Sequence, residues 1–270
     1  MPFRSHYENV YKFAIEPALM SVGLAPWKAN QAISNIDIMC KMCHAIQQSA
    51  YSIIDISDWN PNVMFELGLV YALHKRTLLI KQQHANVPVD LSGMEVINYS
   101  RFENLGEKVR TFFEETLKKN EVATWGCFKM GFLDCPMNLE NDPQKVFLAM
   151  PFRDEQQNMY LFALKPAMER LGLRIWKADE ELNNVDFICK LCHAIRTSSF
   201  GIVDITGWNP NVMFELGLLY GYGKKVALIN KAGEKVPVDL HGLEYVEYND
   251  YGALSQKIED FFVSSLKTNQ

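Results

Sequence analysis

The stretch of sequence that decides the fold is residues 200–219, which read FGIVDITGWNPNVMFELGLL. It opens with a short run, Phe200 to Ile205, that is apolar on both faces and therefore predicts a strand buried in a parallel sheet. Asn209 and Pro210 then predict a helix start, because asparagine caps helices and proline loses no hydrogen bond at the first helical position. The apolar residues that follow extend this helix to Tyr222. A buried strand that leads into a helix is the repeating unit of α/β domains.

The same pattern occurs twice in the chain. Residues 1–120 align with residues 150–269 at a constant offset of 149 residues, without a gap, and close to half of the aligned positions are identical. Identity is densest from Trp59 to Leu69, which Trp208 to Leu218 repeat without a change. A period of this length indicates a duplicated domain rather than a solenoid repeat.

The second copy shows how the predicted elements are ordered. Strands are predicted at residues 145–149, 173–177, 200–205, 226–230 and 243–248, and helices at residues 160–171, 185–198, 210–222 and 254–266. Strands that alternate with helices imply a parallel sheet covered on both faces, and five such units suggest a flavodoxin-like order with ligands at the carboxyl ends of the strands. The sequence thus predicts two tandem flavodoxin-like α/β domains, residues 1–120 and 145–270, each with a mainly parallel five-stranded sheet flanked by helices. Residues 121–144 are the predicted connector.

The connector bears on a strand that the first copy lacks. The second copy has a strand before Met150, whereas the first copy begins at Met1. An empty slot in the middle of a sheet would leave two rows of backbone groups unpaired. Residues 127–133 are short and largely apolar, so we expect this segment to complete the first sheet. The alternative is that the natural start of the chain precedes Met1.

Bulk composition limits the classes of partner. The net charge of -5 and the pI near 5.7 argue against nucleic acid as the main partner. No run of 18 apolar residues predicts a membrane span, and no apolar segment of a secretion signal follows Met1. We therefore expect a cytoplasmic protein without a membrane or nucleic-acid partner, and homo-oligomer formation stays open.

The repeated block carries a candidate reactive carboxylate. Asp204 closes its strand at the sheet edge where open α/β folds bind ligands. Glu215 falls in the second turn of the next helix, with Asn211 four residues earlier on the same face. A glutamate among apolar side chains beside a cleft could act as a nucleophile or stabilise an oxocarbenium-like centre. The alternative is a solvated glutamate near a helix N-terminus. The first copy repeats the arrangement with Asp55, Asn60, Asn62 and Glu66.

These motifs resemble the nucleoside 2-deoxyribosyltransferase-like and TIR-like superfamily. The resemblance rests on Met-Pro-Phe after a strand, on Asp-Ile-Thr-x-x-Asn-Pro-Asn-Val-x-x-Glu-Leu-Gly, and on Gly-Lys-Lys, and it covers both copies nearly end to end. It implies two TIR-like domains in which the glutamates, Glu66 and Glu215, attack or stabilise the anomeric carbon when an N-glycosidic bond breaks. It also implies that the strand-end aspartates, Asp55 and Asp204, contact the sugar.

The chain departs from the resemblance at one position. Typical deoxyribosyltransferases carry an acid six residues before the glutamate, where this chain has Asn60 and Asn209. That difference argues against base exchange and is more compatible with hydrolysis of NAD-like substrates or with binding alone. We therefore expect an N-glycosidase that acts on a nucleoside or NAD-like nucleotide, in a signalling or defence setting, and needs no cofactor. The rival hypothesis is a non-catalytic nucleotide sensor or a TIR-type assembly module.

Further substrate-binding candidates flank the predicted cleft. Trp176 ends the second strand of its copy and could stack on a base, although an aromatic strand residue is more often part of the core. Phe152 and Arg153 follow the first strand, as Phe3 and Arg4 do in the first copy, and these arginines could meet a phosphate or be solvated. The second copy also keeps Thr206-Gly207 and residues 223–225 of the Gly-Lys-Lys motif, so we favour it as the working site.

Two C-x-x-C-H motifs, at residues 40–44 and 189–193, match the pattern of c-type haem attachment. Helical spacing puts Cys40 and Cys43 on an apolar face with Met39, so the cysteines are predicted to be small core residues. No metal site is predicted. A metal or redox role is the alternative.

Overall fold

The structure is a computed structural model that describes residues 5–28, 38–86, 91, 96–119, 139–177, 187–236, 240 and 243–267. The chain divides into two compact units, Met1–Cys135 and Pro136–Gln270. None of the helices within the described ranges is long and apolar enough to cross a membrane.

The first unit alternates helices with parallel strands. Its elements are α1 (Ser5–Val10), a π-helical turn (Tyr11–Ile15), α2 (Glu16–Ser21), α3 (Ile38–Gln48), β1 (Tyr51–Asp55), α4 (Pro61–Ala72), β2 (Arg76–Gln82), β3 (Val96–Tyr99) and α5 (Phe102–Lys118). The described strands form a parallel sheet in the order β1-β2-β3. Helices α1, α2 and α5 share an apolar core with one face of this sheet.

The second unit follows the same plan with two more described strands. Its elements are β4 (Asp142–Ala149), α6 (Asp154–Met159), a π-helical turn (Tyr160–Leu164), α7 (Lys165–Arg170), β5 (Arg174–Lys177), α8 (Phe187–Thr197), β6 (Ser198–Asp204), α9 (Pro210–Gly221), β7 (Lys225–Lys231), β8 (Tyr245–Tyr248) and α10 (Tyr251–Lys267). The five strands are parallel in the order β5-β4-β6-β7-β8. Within the unit this is the order 2-1-3-4-5.

Different helices cover the two faces of the second sheet. Phe200 and Ile202 of β6 belong to a core that also contains residues of α6, α7 and α10. Gly201 lies between them and faces α9, since a Cβ added to it would lie 2.9 Å from Cδ1 of Leu219. Successive side chains of a strand point to opposite faces. Helices α6, α7 and α10 therefore cover one face, and α9 covers the other.

Each copy has a π-helical turn that the sequence pattern did not predict. Tyr11–Ile15 and Tyr160–Leu164 are π-helical, and each lies just before a helix segment with a proline at its start, Pro17 or Pro166. Proline has no backbone N–H to complete the regular hydrogen-bond ladder, and a wider turn accommodates that loss.

The α/β class and the parallel sheets are confirmed. The strands and helices predicted for the second copy occur in the predicted order, although the helix predicted from residue 160 begins at Asp154. The first sheet has three strands in its described part, where five were predicted. Residues 127–133, expected to complete it, lie outside the described residues, as do residues 121–138 of the connector.

Candidate functional site

The candidate site lies at the carboxyl end of the second sheet. Neighbouring strands β4 and β6 send their following helices, α6 and α9, to opposite faces of the sheet. In open α/β sheets, ligands bind in the crevice that opens at such a point. Residues 150–153 leave β4 on one side of this crevice, and residues 205–209 leave β6 on the other. The predicted site residues of the second copy belong to these two connections or to the adjoining strand and helix ends, except Trp176 and Glu215, which lies in the middle of α9.

Asp204 is the last residue of β6 and is fully buried. Its Oδ1 accepts a hydrogen bond from the backbone N–H of Thr206 at 3.0 Å. Its Oδ2 has no hydrogen-bond partner among the described residues. Burial raises the pKa of Asp204, and the interactions with Thr206 and Gln156 offset part of that effect. The carboxyl group is thus held in an environment that disfavours its charge.

Asp55, the counterpart in the first copy, is bonded at both oxygens. Its Oδ1 accepts from the backbone N–H of Ser57 at 2.9 Å and from the Ser57 hydroxyl. Its Oδ2 accepts from the hydroxyl of Tyr99 at 2.8 Å. Burial and the neighbouring Asp55 raise the pKa of Tyr99, so this hydroxyl keeps its proton and remains a donor. Asp55 therefore completes an internal hydrogen-bond network, which Asp204 does not.

The predicted start of the helix that carries the glutamate is confirmed in both copies. The Oδ1 of Asn209 accepts from the backbone N–H groups of Asn211 at 2.9 Å and of Val212 at 3.3 Å. Asn60 caps α4 in the same way. Because this oxygen is used in capping, Asn209 holds the first turn of α9 in place.

Glu215 lies on α9 with only 8% of its surface exposed, whereas Glu66 on α4 is partly exposed. One turn before each glutamate, the Oδ1 of Asn211 or Asn62 is buried and has no hydrogen-bond partner among the described residues. Asp204 lies two residues after Ile202 in β6, so both side chains point to the face covered by α6, α7 and α10. Glu215 belongs to α9, which covers the other face of the sheet. Asp204 and the helix that carries Glu215 therefore lie on opposite sides of the sheet.

Two strained tryptophans adjoin the helix starts and were not predicted. Trp208 has a φ of 53° and Trp59 a φ of 48°, in the left-handed region that bulky residues rarely adopt. The indole Nε1–H of Trp208 donates to the carbonyl oxygen of Lys235 at 2.6 Å, and that of Trp59 donates to Asn86 at 2.8 Å. Each tryptophan directly precedes an N-cap residue, so its indole hydrogen bond links the start of the helix to the loop after the next strand, β7 or β2. Backbone strain of this kind clusters at functional sites.

Two buried amides of the second copy were also missed. Asn230, near the end of β7, is fully buried, and its Nδ2 donates to the carbonyl oxygen of Glu234 at 2.9 Å. It follows Ile229, which faces the α10 side, so Asn230 faces α9. Gln156 on α6 is buried against Asp204. The signal for Asn230 was a single polar residue ending the apolar run 226–229. The first copy has Lys81 and Tyr7 at these positions.

The remaining predicted residues have different environments. Phe152 is 68% exposed at the mouth of the crevice, and Arg153 next to it is exposed. Trp176 stacks on Phe147 with ring centroids 5.5 Å apart, on the sheet face opposite Asp204. That contact favours the core role over base stacking. Phe3 and Arg4 lie outside the described residues.

The cysteine prediction needs a correction for Cys43, Cys189 and Cys192, while the side chain of Cys40 lies outside the described part of the structure. The buried side of α8 is formed by Ile188, Leu191 and Ile195, and Cys189 and Cys192 flank it at intermediate exposure. In the first copy Met42 is buried and Cys43 is half-buried. The helix is rotated relative to the predicted apolar face, because larger apolar side chains gain more from burial than cysteine does. In the described part of the chain, no cluster of His, Cys, Asp and Glu is placed to hold a metal ion.

Comparison of the sequence with models of known protein families gives no match, and comparison with curated proteins gives no significant match.

Proposed function

We propose that the second domain cleaves the N-glycosidic bond of a nucleoside or NAD-like nucleotide, and that both domains are flavodoxin-like and TIR-like. The observation that carries this proposal is a buried glutamate, Glu215, on the helix that starts at the switch point of the sheet. The strand order 2-1-3-4-5 of the second sheet supports the flavodoxin-like assignment. The substrate would lie in the crevice between the connections that follow β4 and β6.

In the proposed reaction, the bond between the anomeric carbon and the base nitrogen breaks, and its electron pair leaves with the base. Glu215 stabilises the resulting oxocarbenium-like cation or adds to it, and a water molecule then supplies the oxygen of the free sugar. The proton that this water loses goes to the departing base of a nucleoside, or to solvent when neutral nicotinamide leaves from NAD. Asn211 contacts the sugar from the same helix. Phe152, exposed at the rim, stacks on the base. Arg153, which follows Phe152 directly, binds a phosphate of a nucleotide substrate.

The second copy is the better candidate for catalysis. At the position of Asn230 the first copy has Lys81, whose ammonium group donates to the carbonyl oxygen of Ala85. The Lys81 ammonium group lies on the side of the sheet equivalent to the α9 side in the second copy. A positive charge there opposes the positive charge that develops on the sugar as the glycosidic bond breaks. In addition, both oxygens of Asp55 are bonded within the first unit. These features favour a binding or structural role for the first copy.

A non-catalytic function is the second candidate, and Asn209 favours it. Asn209 is an amide that caps α9 through its oxygen, so this position supplies no second acid. A domain of this kind would bind a nucleotide as a sensor, or assemble in the manner of a TIR-type module.

Incubation of the full chain with NAD, adenosine, inosine and uridine, followed by chromatography of the products, tests the proposal. Release of free nicotinamide or another free base supports it. Binding of these compounds without base release over many hours, by contrast, would favour the sensor function. If none of the compounds is bound or cleaved, the proposed N-glycosidase function is refuted.

A further inference from the structure

The second unit contains an unusual set of buried oxygens. Its described residues have four buried side-chain atoms without a hydrogen-bond partner, and all four are acceptor oxygens. They are Gln156 Oε1, Asp204 Oδ2, Asn211 Oδ1 and Asn230 Oδ1. A buried acceptor without a donor is costly, so native structures supply one from water or from a ligand.

The four oxygens belong to elements that meet at the carboxyl end of the sheet. Gln156 lies on α6, the helix after β4, and Asp204 ends β6. These two interact with each other on the α6 side of the sheet. Asn211 in the first turn of α9 and Asn230 near the end of β7 lie on the other side. The two walls of the crevice therefore both need donors.

In the first copy, three of the four equivalent positions have no buried acceptor oxygen that lacks a donor. Tyr7 replaces Gln156 and Lys81 replaces Asn230, and each brings a donor. The third, Asp55, is already bonded through both oxygens. Asn62 keeps the orphan oxygen that Asn211 has. At the positions of Gln156, Asp204 and Asn230, the shortage of donors is thus specific to the second copy and is not imposed by the fold.

We infer that the second domain binds a ribose through its vicinal hydroxyl groups, with Gln156 and Asp204 as the acceptors, and therefore selects ribosides over 2′-deoxyribosides. The inference rests on the proposed function, which puts the sugar between the two walls. Hydroxyl groups are the donors that a sugar presents, and two neighbouring hydroxyls match two neighbouring acceptors. A site built to bind a hydroxyl rejects an analogue that lacks it, because its buried polar groups are then left unpaired.

The test compares the affinities of adenosine and 2′-deoxyadenosine for the full chain by calorimetry. The Glu215→Gln variant is measured alongside the natural chain, so that turnover does not distort binding. We expect 2′-deoxyadenosine to bind about 10- to 100-fold more weakly, the range set by an unpaired buried acceptor. Gln156→Met, which removes the acceptor at similar length, is expected to reduce this difference to less than about 3-fold.

Matched variants keep the test decisive. Gln156→Tyr places the residue of the first copy at this position and serves if Gln156→Met does not fold. Tyr7→Phe alters the equivalent position of the first copy and should leave the selectivity unchanged. Equal affinities for the two nucleosides, no binding of either, or a preference for adenosine that survives both Gln156 substitutions would overturn the inference.

The outcomes for the inference and for the proposed function are distinguishable. A preference for adenosine without any base release would leave the inference standing and refute the proposed reaction. Equal base release from adenosine and 2′-deoxyadenosine would support the proposed reaction and refute the inferred selectivity for ribosides.

Discussion

Asparagine in place of Asp204 is expected to stabilise the second unit, whereas the same substitution at Asp55 is expected to destabilise the first. In Asp204→Asn, the retained oxygen still accepts from the Thr206 N–H. The new amide N–H₂ takes the place of the unpartnered Oδ2. Gln156 donates to the carboxyl group in the natural chain, and rotation of its amide would turn its unpartnered oxygen towards the new donor. Relief of buried unsatisfied acceptors is worth about 1–3 kcal/mol, so we expect a gain of about 1–2 kcal/mol near neutral pH.

The sign of the pH dependence follows from the raised pKa of Asp204. The carboxyl group binds its proton more tightly in the folded state than in the unfolded chain, where its pKa is about 3.9. The natural second unit therefore has its full stability below about pH 4 and loses part of it as the pH rises through the folded pKa. The advantage of asparagine should be small near pH 4 and grow towards neutral pH.

Asp55→Asn has the opposite effect because the carboxylate oxygen that accepts from Tyr99 becomes an amide donor. Loss of a charge-assisted hydrogen bond is expected to cost about 1–2 kcal/mol. Hydrogen exchange read by mass spectrometry separates the units, since β6 and β1 give different peptides. Exchange in β6 should slow by about 5- to 30-fold in Asp204→Asn, and exchange in β1 should accelerate in Asp55→Asn. Destabilisation of β6 by Asp204→Asn at neutral pH would refute the reasoning.

Two further predictions concern packing and strain. Gly201→Ala should destabilise the second unit by about 1–3 kcal/mol, because the new Cβ would lie 2.9 and 3.0 Å from the two methyl carbons of Leu219. The first copy has Ser52 and Val70 at these positions. Hence adding Leu219→Val to Gly201→Ala should restore most of the stability in urea unfolding, and failure of that rescue would contradict the steric explanation. Trp208→Phe removes the hydrogen bond to the carbonyl of Lys235 while retaining an aromatic ring. It should lower base release about 10-fold by loosening the start of α9, with Trp59→Phe as the control. Equal effects of the two substitutions would show that the indole bond has no special role at the second site.

The repeat made the order of elements predictable from sequence. The Asn-Pro pair identified the starts of α4 and α9 because both residues act locally, one as a cap and the other through its fixed backbone. The first helix of each copy was less predictable. Its π-helical turn, which follows Asp154–Met159 in the second copy, depends on how the helix adjusts to a proline further along the chain.

The direction of the Asp204 side chain could not be read from the sequence. Strand β6 is apolar on both faces, so its pattern does not tell which side the final carboxylate takes. The contact between Gly201 and Leu219 decides this in the structure. The left-handed conformation of Trp208 was equally hidden, because a bulky aromatic residue gives no sign of positive φ. The rotation of α8 depends on which neighbouring side chains compete for burial.

The central claim is that Glu215 stabilises the breaking N-glycosidic bond, and a comparison of two matched variants tests it most directly. Glu215→Gln and Glu66→Gln each remove one carboxylate and keep its shape, at equivalent positions of the two copies. Base release from NAD and nucleosides, measured with binding affinity for the same compounds, should fall by about two orders of magnitude or more in Glu215→Gln with affinity largely unchanged. Glu66→Gln should leave base release near that of the natural chain. Full activity of Glu215→Gln, or its loss in Glu66→Gln alone, would contradict the account.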